Sequence, residues 1–163
     1  MDYKNTITRI IVIILLSVGM MTTNAVYAQK TYKTANGKTY VFDNTKKVIF
    51  NQSQNNKSSQ LYTTEGFSVR NPYIVSNTFK NILSAERIKE LKKDKVAVIF
   101  ECNRDGKIES VKFIFNKTPF LTASEVEKLE QSFLKQTFSI SSNLGQEQNL
   151  KFAIPCFFSK IQK

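Results

Sequence analysis

The chain has no histidine and no tryptophan, only two cysteines, three prolines and five glycines, and 13 acidic residues against 24 basic ones. Each shortage removes a class of function. Without imidazole there is no Ser-His-Asp triad, no Cys-His pair and no metal site built on histidine. Two cysteines alone do not complete a structural zinc site. The glycines, at positions 19, 37, 66, 106 and 145, stand far apart, so neither a P-loop nor a dinucleotide fingerprint can be drawn. No cofactor and no metal is expected. With 163 residues the length fits one domain, or one domain with a small appendage.

What the chain has in place of these begins at its start. Lys4 and Arg9 precede a largely apolar run, Ile10–Met21, which TTNAVYA follows, ending at Ala28. A basic start, a short apolar run and small residues at Val26 and Ala28 make a secretory signal peptide, residues 1–28, cleaved after Ala28. A membrane anchor is the rival. Twelve helical residues reach about 18 Å at 1.5 Å each, well short of a hydrocarbon core of about 30 Å. The first cysteine is Cys102, so none follows the apolar run to carry a lipid. The expected mature chain starts at Gln29 and carries a formal charge of +10. It is expected in the periplasm or outside the cell, without stable membrane insertion.

The positive charge suggests anionic partners, but 20 of the 24 cations are lysine, whereas base and phosphate recognition leans on arginine. One lysine cluster (89, 92, 93, 95) closes an expected helix, where cations suit the dipole. No nucleic acid partner is expected. The thirteen phenylalanines fall mostly on expected core faces and read as packing, in a chain with no tryptophan to anchor its interior.

Residues 29–60 are polar. Within them Lys38–Phe42 and Lys47–Phe50 are β-rich runs about Asp43-Asn44-Thr45 and read as a hairpin, with Asn36-Gly37 as a turn. Asn51–Gln60 has no apolar residue and is expected to be a loop outside any core. Leu61–Ser76 shows no clear period, and Pro72 argues against a central strand.

Residues 61–163 are expected to form an α+β domain. Ser84 caps a helix running to Lys93, with Leu83 and Ile88 placed as a hydrophobic staple and Leu91 also inward; a turn around Phe79, Ile82 and Leu83 precedes it. Lys95–Asn103 alternates as a strand with Val96, Val98, Phe100 and Cys102 inward and Glu101 outward. Asp105-Gly106 suits a three-residue hairpin loop with a left-handed glycine. The return strand, Ile108–Asn116, turns Val111, Phe113 and Phe115 inward. Thr122 and Glu125 make a capping box for a second helix, with Leu121 and Val126 as its staple and a stripe at Val126, Leu129, Phe133 and Leu134. Asn143–Asn149 is a loop. The last strand, Leu150–Phe158, turns Leu150, Phe152, Ile154, Cys156 and Phe158 to one face. The order is α-β-β-α-β with a small antiparallel sheet against helices.

The run VIFECNRDGKIESV resembles the start of the TonB C-terminal domain, through Val98, Phe100, Cys102, Asp105, Gly106, Ile108 and Val111. The likeness covers residues 95–159. More closely, residues 77–160 resemble a poorly characterised group of small secreted proteins of gut bacteria. An energy transducer of the TonB type is not implied, because this chain has no histidine and no proline-rich spacer. The resemblance implies that the last strand lies antiparallel beside the first, at a sheet edge. Cys102 and Cys156 would then stand six residues, about 20 Å, apart along the strands, beyond the about 7 Å that a disulfide spans. Their oxidising compartment argues the other way.

Pro155 also fits an edge, where its missing N–H costs no ladder bond. The neighbours that share its orientation, Lys151, Ala153 and Phe157, would form with it a candidate partner-binding edge able to accept an added strand. Blunting the edge against aggregation is the other role that suits it. The function expected is an exported, non-enzymatic binding or accessory protein of the cell envelope. The alternative is a secreted inhibitor or immunity-type protein, using the hairpin and the Asn51–Gln60 loop as contact surface. A carboxylate hydrolase would need Glu101 and Glu109 to meet across the hairpin with raised pKa values.

Overall fold

A computed structural model describes residues 29–54, 62–142 and 149–161. The expected signal peptide, most of the expected polar loop and residues 143–148 lie outside the described residues. No helix among the described residues is long and apolar enough to cross a membrane.

The strands are β1 (Gln29–Lys33), β2 (Thr39–Asp43), β3 (Val48–Asn51), β4 (Tyr62–Thr63), β5 (Phe67–Val69), β6 (Lys95–Cys102), β7 (Ile108–Phe115), β8 (Ile140–Ser142) and β9 (Asn149–Phe157). The helices are α1 (Ile74–Ile82), α2 (Ala85–Glu90) and α3 (Ala123–Phe133). Seven strands form one sheet in the order β1-β2-β3-β7-β6-β9-β4; β5 and β8 make a separate two-stranded ribbon. The sheet is antiparallel except where β4 meets β9. The fold is therefore α+β, as expected, but its sheet is larger than the α-β-β-α-β core alone. The polar N-terminal region extends that sheet, because β3 pairs with β7.

Local chemistry explains the central elements. Val96, Val98, Phe100 and Cys102 are buried on one face of β6, and Ile108, Val111, Phe113 and Phe115 on the same face of β7. The loop between them closes through Asn103 N–H to the Lys107 carbonyl and Gly106 N–H to the Asn103 carbonyl, both 3.0 Å. Gly106 has φ +81°, and a β-carbon there would stand 2.0 Å from the Phe138 carbonyl oxygen, so no other residue fits without moving backbone. The Phe138 N–H in turn donates to the Gly106 carbonyl at 2.9 Å. The hairpin loop is thus docked against the segment leaving α3.

Both expected helix caps are present. The Ser84 hydroxyl accepts from Arg87 N–H, and Thr122 and Glu125 form the complete capping box. Leu83, Ile88, Leu121 and Val126 are all buried. Three expectations need correction. The helix capped by Ser84 stops at Glu90, where Leu91–Lys93 form a turn. The single turn before it is α1, a nine-residue helix that buries Val75, Thr78 and Phe79. And Asn51 is not part of a solvated loop: it ends β3 and is buried, because its side-chain amide meets a carboxylate on α3.

The helices cover one face of the sheet. Phe79 on α1 stands edge-on to Phe113, Phe133 and Phe158, and Phe100 packs on Phe133 and Phe138. At the β1–β3 end the same layer holds Phe42 and Ile49 and, beside them, a polar cluster. Glu130, 1% exposed, accepts from Tyr40 Oη at 2.6 Å, Lys38 Nζ at 2.9 Å and Asn51 Nδ2 at 3.1 Å. Burial first, and then the adjacent Glu130 carboxylate, push the Tyr40 phenol far above its ordinary value.

Candidate functional site

Strand β9 lies where alternation puts it. Leu150, Phe152, Ile154 and Cys156 turn toward the helices, and Phe152 meets Phe67, Phe100 and Phe138. One flank of β9 pairs antiparallel with β6 along its length, from Lys95↔Phe157 to Cys102↔Leu150. The other flank meets β4 only at Asn149 and Leu150. The expected edge is thus partly corrected: β4 covers its beginning, and past Leu150 no described strand pairs with it.

The four candidate residues occupy the sheet face away from the helices, but they do not form one uniform row. Ala153 and Pro155 are exposed, and Phe157 is 39% exposed. Lys160 places its ammonium 5.0 Å from the centre of the Phe157 ring, a cation–π contact. Pro155 and Phe157 line a shallow cavity of about 250 Å³ with Lys95, Ala97, Ile114 and Asn116. Lys151 stands apart from this group in chemistry. Its ammonium lies 2.8 Å from Glu101 Oε1, with Lys112 at 3.8 Å on the other side.

That triad sets the electrostatics of Glu101. Burial raises the Glu101 pKa, but the hydrogen bond from Lys151 and the charges of Lys112 and Lys151 lower it more, so its carboxyl sits below the usual range. A general acid needs the opposite shift. The β6–β7 register also slips between Glu101 and Cys102, so that Glu101 faces Ser110 and Cys102 faces Ile108. Glu109 falls at the irregularity and is opposed by neither.

Cys102 and Cys156 are free and buried, facing Leu150 and Val96 respectively at opposite ends of the β6–β9 ladder. Burial pushes both thiols up to about 12, far from a reactive thiolate. No group of three or more cysteine, aspartate or glutamate side chains that could hold a metal occurs among the described residues.

Ala97 and Ile114, which line the cavity beside the edge, were not singled out from sequence. For Ala97 the signal was in the run KVAVIF, which is apolar on both alternating faces although only one faces the helices, and Ile114 stands opposite it on β7. An outward-facing apolar pair on a central strand marks a surface that water does not fully own.

These features define an α+β protein with one mixed sheet, helices on a single face, and a half-open C-terminal strand. No protein-family model matches the chain, and no curated protein matches its sequence. Among solved structures it is similar to a DUF5043 family protein from Bacteroides uniformis, with a TM-score of 0.54 and 13% identity over 78% of this chain and 83% of that one. At that identity the likeness is one of fold. The neighbour belongs to a family whose label denotes unknown function.

Proposed function

We propose that the chain is an exported, non-enzymatic binding or accessory protein of the cell envelope, and that it takes an extended segment of a protein partner along the outer flank of β9. One observation carries the reading: β9 is fully paired on the β6 side, while β4 reaches only its first two residues on the other. Pro155 stands opposite Ala97 and has no N–H to give. In an antiparallel ladder, opposed residues alternate between bonding each other and pointing away. With Pro155 in a pair that points away, no bond to β6 is lost, and the N–H groups of Ala153 and Phe157 face outward with it. An added strand would satisfy them and lay side chains over the cavity beside Phe157. The TonB-like reading of residues 95–159 supports the same mode, since that fold is thought to receive receptor segments as an added strand. The leader read in residues 1–28 supports export.

The test is recovery of a partner from envelope extracts by the wild-type protein and by Ala153→Pro, which removes a second outward N–H. Wild type should retain a specific protein that the variant loses while melting within a few degrees of wild type. If wild type recovers none, or the variant recovers it equally, the proposal fails.

A further inference from the structure

Away from β9, a groove runs between β1 and α3 at the opposite end of the sheet. It consists of two adjoining cavities, about 460 and 380 Å³, with Ala123 lining both. The first has aromatic walls: Tyr32 and Phe42 from the sheet, and Phe120 from the segment before α3. The second is polar, and Lys33, Glu127 and Lys128 line it. We propose that this groove binds an acidic saccharide, with Tyr32 as the stacking platform and Lys30 and Lys128 as the groups that take its carboxylates.

Three observations carry the assignment. Tyr32 is 42% exposed, yet its ring is set: it stands edge-on to Phe42, centroids 4.6 Å apart at 62°. A tyrosine held this way offers a flat apolar face and a hydroxyl at little entropic cost, which suits the C–H face of a pyranose. The charge is one-sided. Three lysines line the two cavities, against the single carboxylate of Glu127. That carboxylate is buried and engaged, accepting from Asn36 Nδ2 at 3.2 Å and Gln131 Nε2 at 3.4 Å. The lining therefore keeps unspent positive charge for an anion.

The third observation separates a saccharide from a peptide. The groove lies over the face of β1, whereas the backbone N–H and C=O groups of a strand lie in the plane of its sheet. The other wall is the first turn of α3, where Thr122 and Glu125 cap each other and only the N–H groups of Ala123 and Ser124 are left without an acceptor inside the helix. β1 is an end strand, but a peptide could pair with its open flank only in the plane of the sheet; one lying in the groove would leave most of its amides unpaired. A saccharide carries donors and acceptors around each ring and needs only side chains.

The test is titration of the protein with digalacturonate, followed by amide chemical shifts, with galactobiose and hexaglutamate as comparisons. Digalacturonate should give saturable shifts centred on Lys30, Tyr32, Ala123 and Ser124, weakening as salt is raised. Galactobiose should bind at least about tenfold more weakly. Tyr32→Ala should weaken binding at least about tenfold, and Lys30→Gln and Lys128→Gln a few-fold each, with melting temperatures near wild type. No saturable shift up to about 20 mM, equal binding of galactobiose, or hexaglutamate alone occupying the groove would each overturn the proposal. So would undiminished binding by all three variants.

Discussion

The two halves of the sheet meet the helices through different chemistry. At β6, β7 and β9 the layer is aromatic: Phe133 of α3 lies against Phe79, Phe100 and Phe113 with ring centroids 5.2–6.4 Å apart. At β2 and β3 the apolar layer continues only through Phe42 and Ile49, and beside them a buried carboxylate, Glu130, gathers Tyr40, Lys38 and Asn51 from the sheet. The first interface is non-directional and gains with area. The second depends on geometry, and each buried donor left without its acceptor carries a full desolvation cost. One helix thus serves a packed end and a latched end, and Phe133 and Glu130 lie within one turn of each other.

The largest expected effect breaks the aromatic end. Phe133→Ala should lower unfolding free energy by about 3–5 kcal/mol, read from urea denaturation. The latch should be weaker. Glu130→Gln keeps the shape and removes the charge, at a cost of about 1–3 kcal/mol. Tyr40→Phe should cost about 1 kcal/mol, and the pair less than the sum, since both act on one network. Amide exchange sharpens the contrast: Glu130→Gln should speed exchange in β1–β3 before β6 and β7. Uniform acceleration in both halves would mean the sheet opens as one unit and the contrast is only chemical.

Acid should touch both halves. Hydrogen bonds from the Lys46 backbone N–H, and the Gln29 side chain against opposing burial, hold the Asp43 carboxyl on β2 below its usual value. Glu101 on β6 is lowered by Lys151 and Lys112. A carboxyl whose folded pKa is depressed binds protons more readily in the unfolded chain. Its contribution is present above the unfolded value, about 4 for such groups, and disappears as pH falls through the folded value. Stability should therefore drop below about pH 4, and Glu101→Gln should flatten part of that drop. An unchanged profile would show that the Lys151–Glu101–Lys112 triad is spent on desolvation.

The aromatic end was legible in the sequence because period-two and helical stripes of apolar residues report directly on burial. Val98, Phe100, Phe113, Leu129 and Phe133 all stand where those stripes put them. Both caps were legible for the same local reason. The latched end was not. Asn51 sits in a run without apolar residues and Glu130 on the polar side of a helix stripe, so each looks solvated until the partner 79 positions away is known. β1 was hidden likewise: QKTYK has no buried residue, and its pairing with β2 leaves no apolar pattern. Of the candidate edge, Pro155 marked the place, but the two-residue reach of β4 lies in backbone pairing that no side-chain pattern encodes.

The smallest expected effect concerns the cysteines, where compartment and geometry point in opposite directions. An oxidising space favours pairing two thiols. The β6–β9 register opposes it, because Cys156 faces Val96 and Cys102 faces Leu150, six residues along the ladder. Both thiols are buried in the aromatic half, and burial holds them near 12. Folded protein at pH 8 should accordingly leave both unmodified by a thiol reagent over hours, and denatured protein should release two equivalents at once. A reductant should not move the melting temperature. A reductant-sensitive melt would mean that β9 slides or opens far enough to bring the sulfurs together, and then the aromatic end could not be the rigid one.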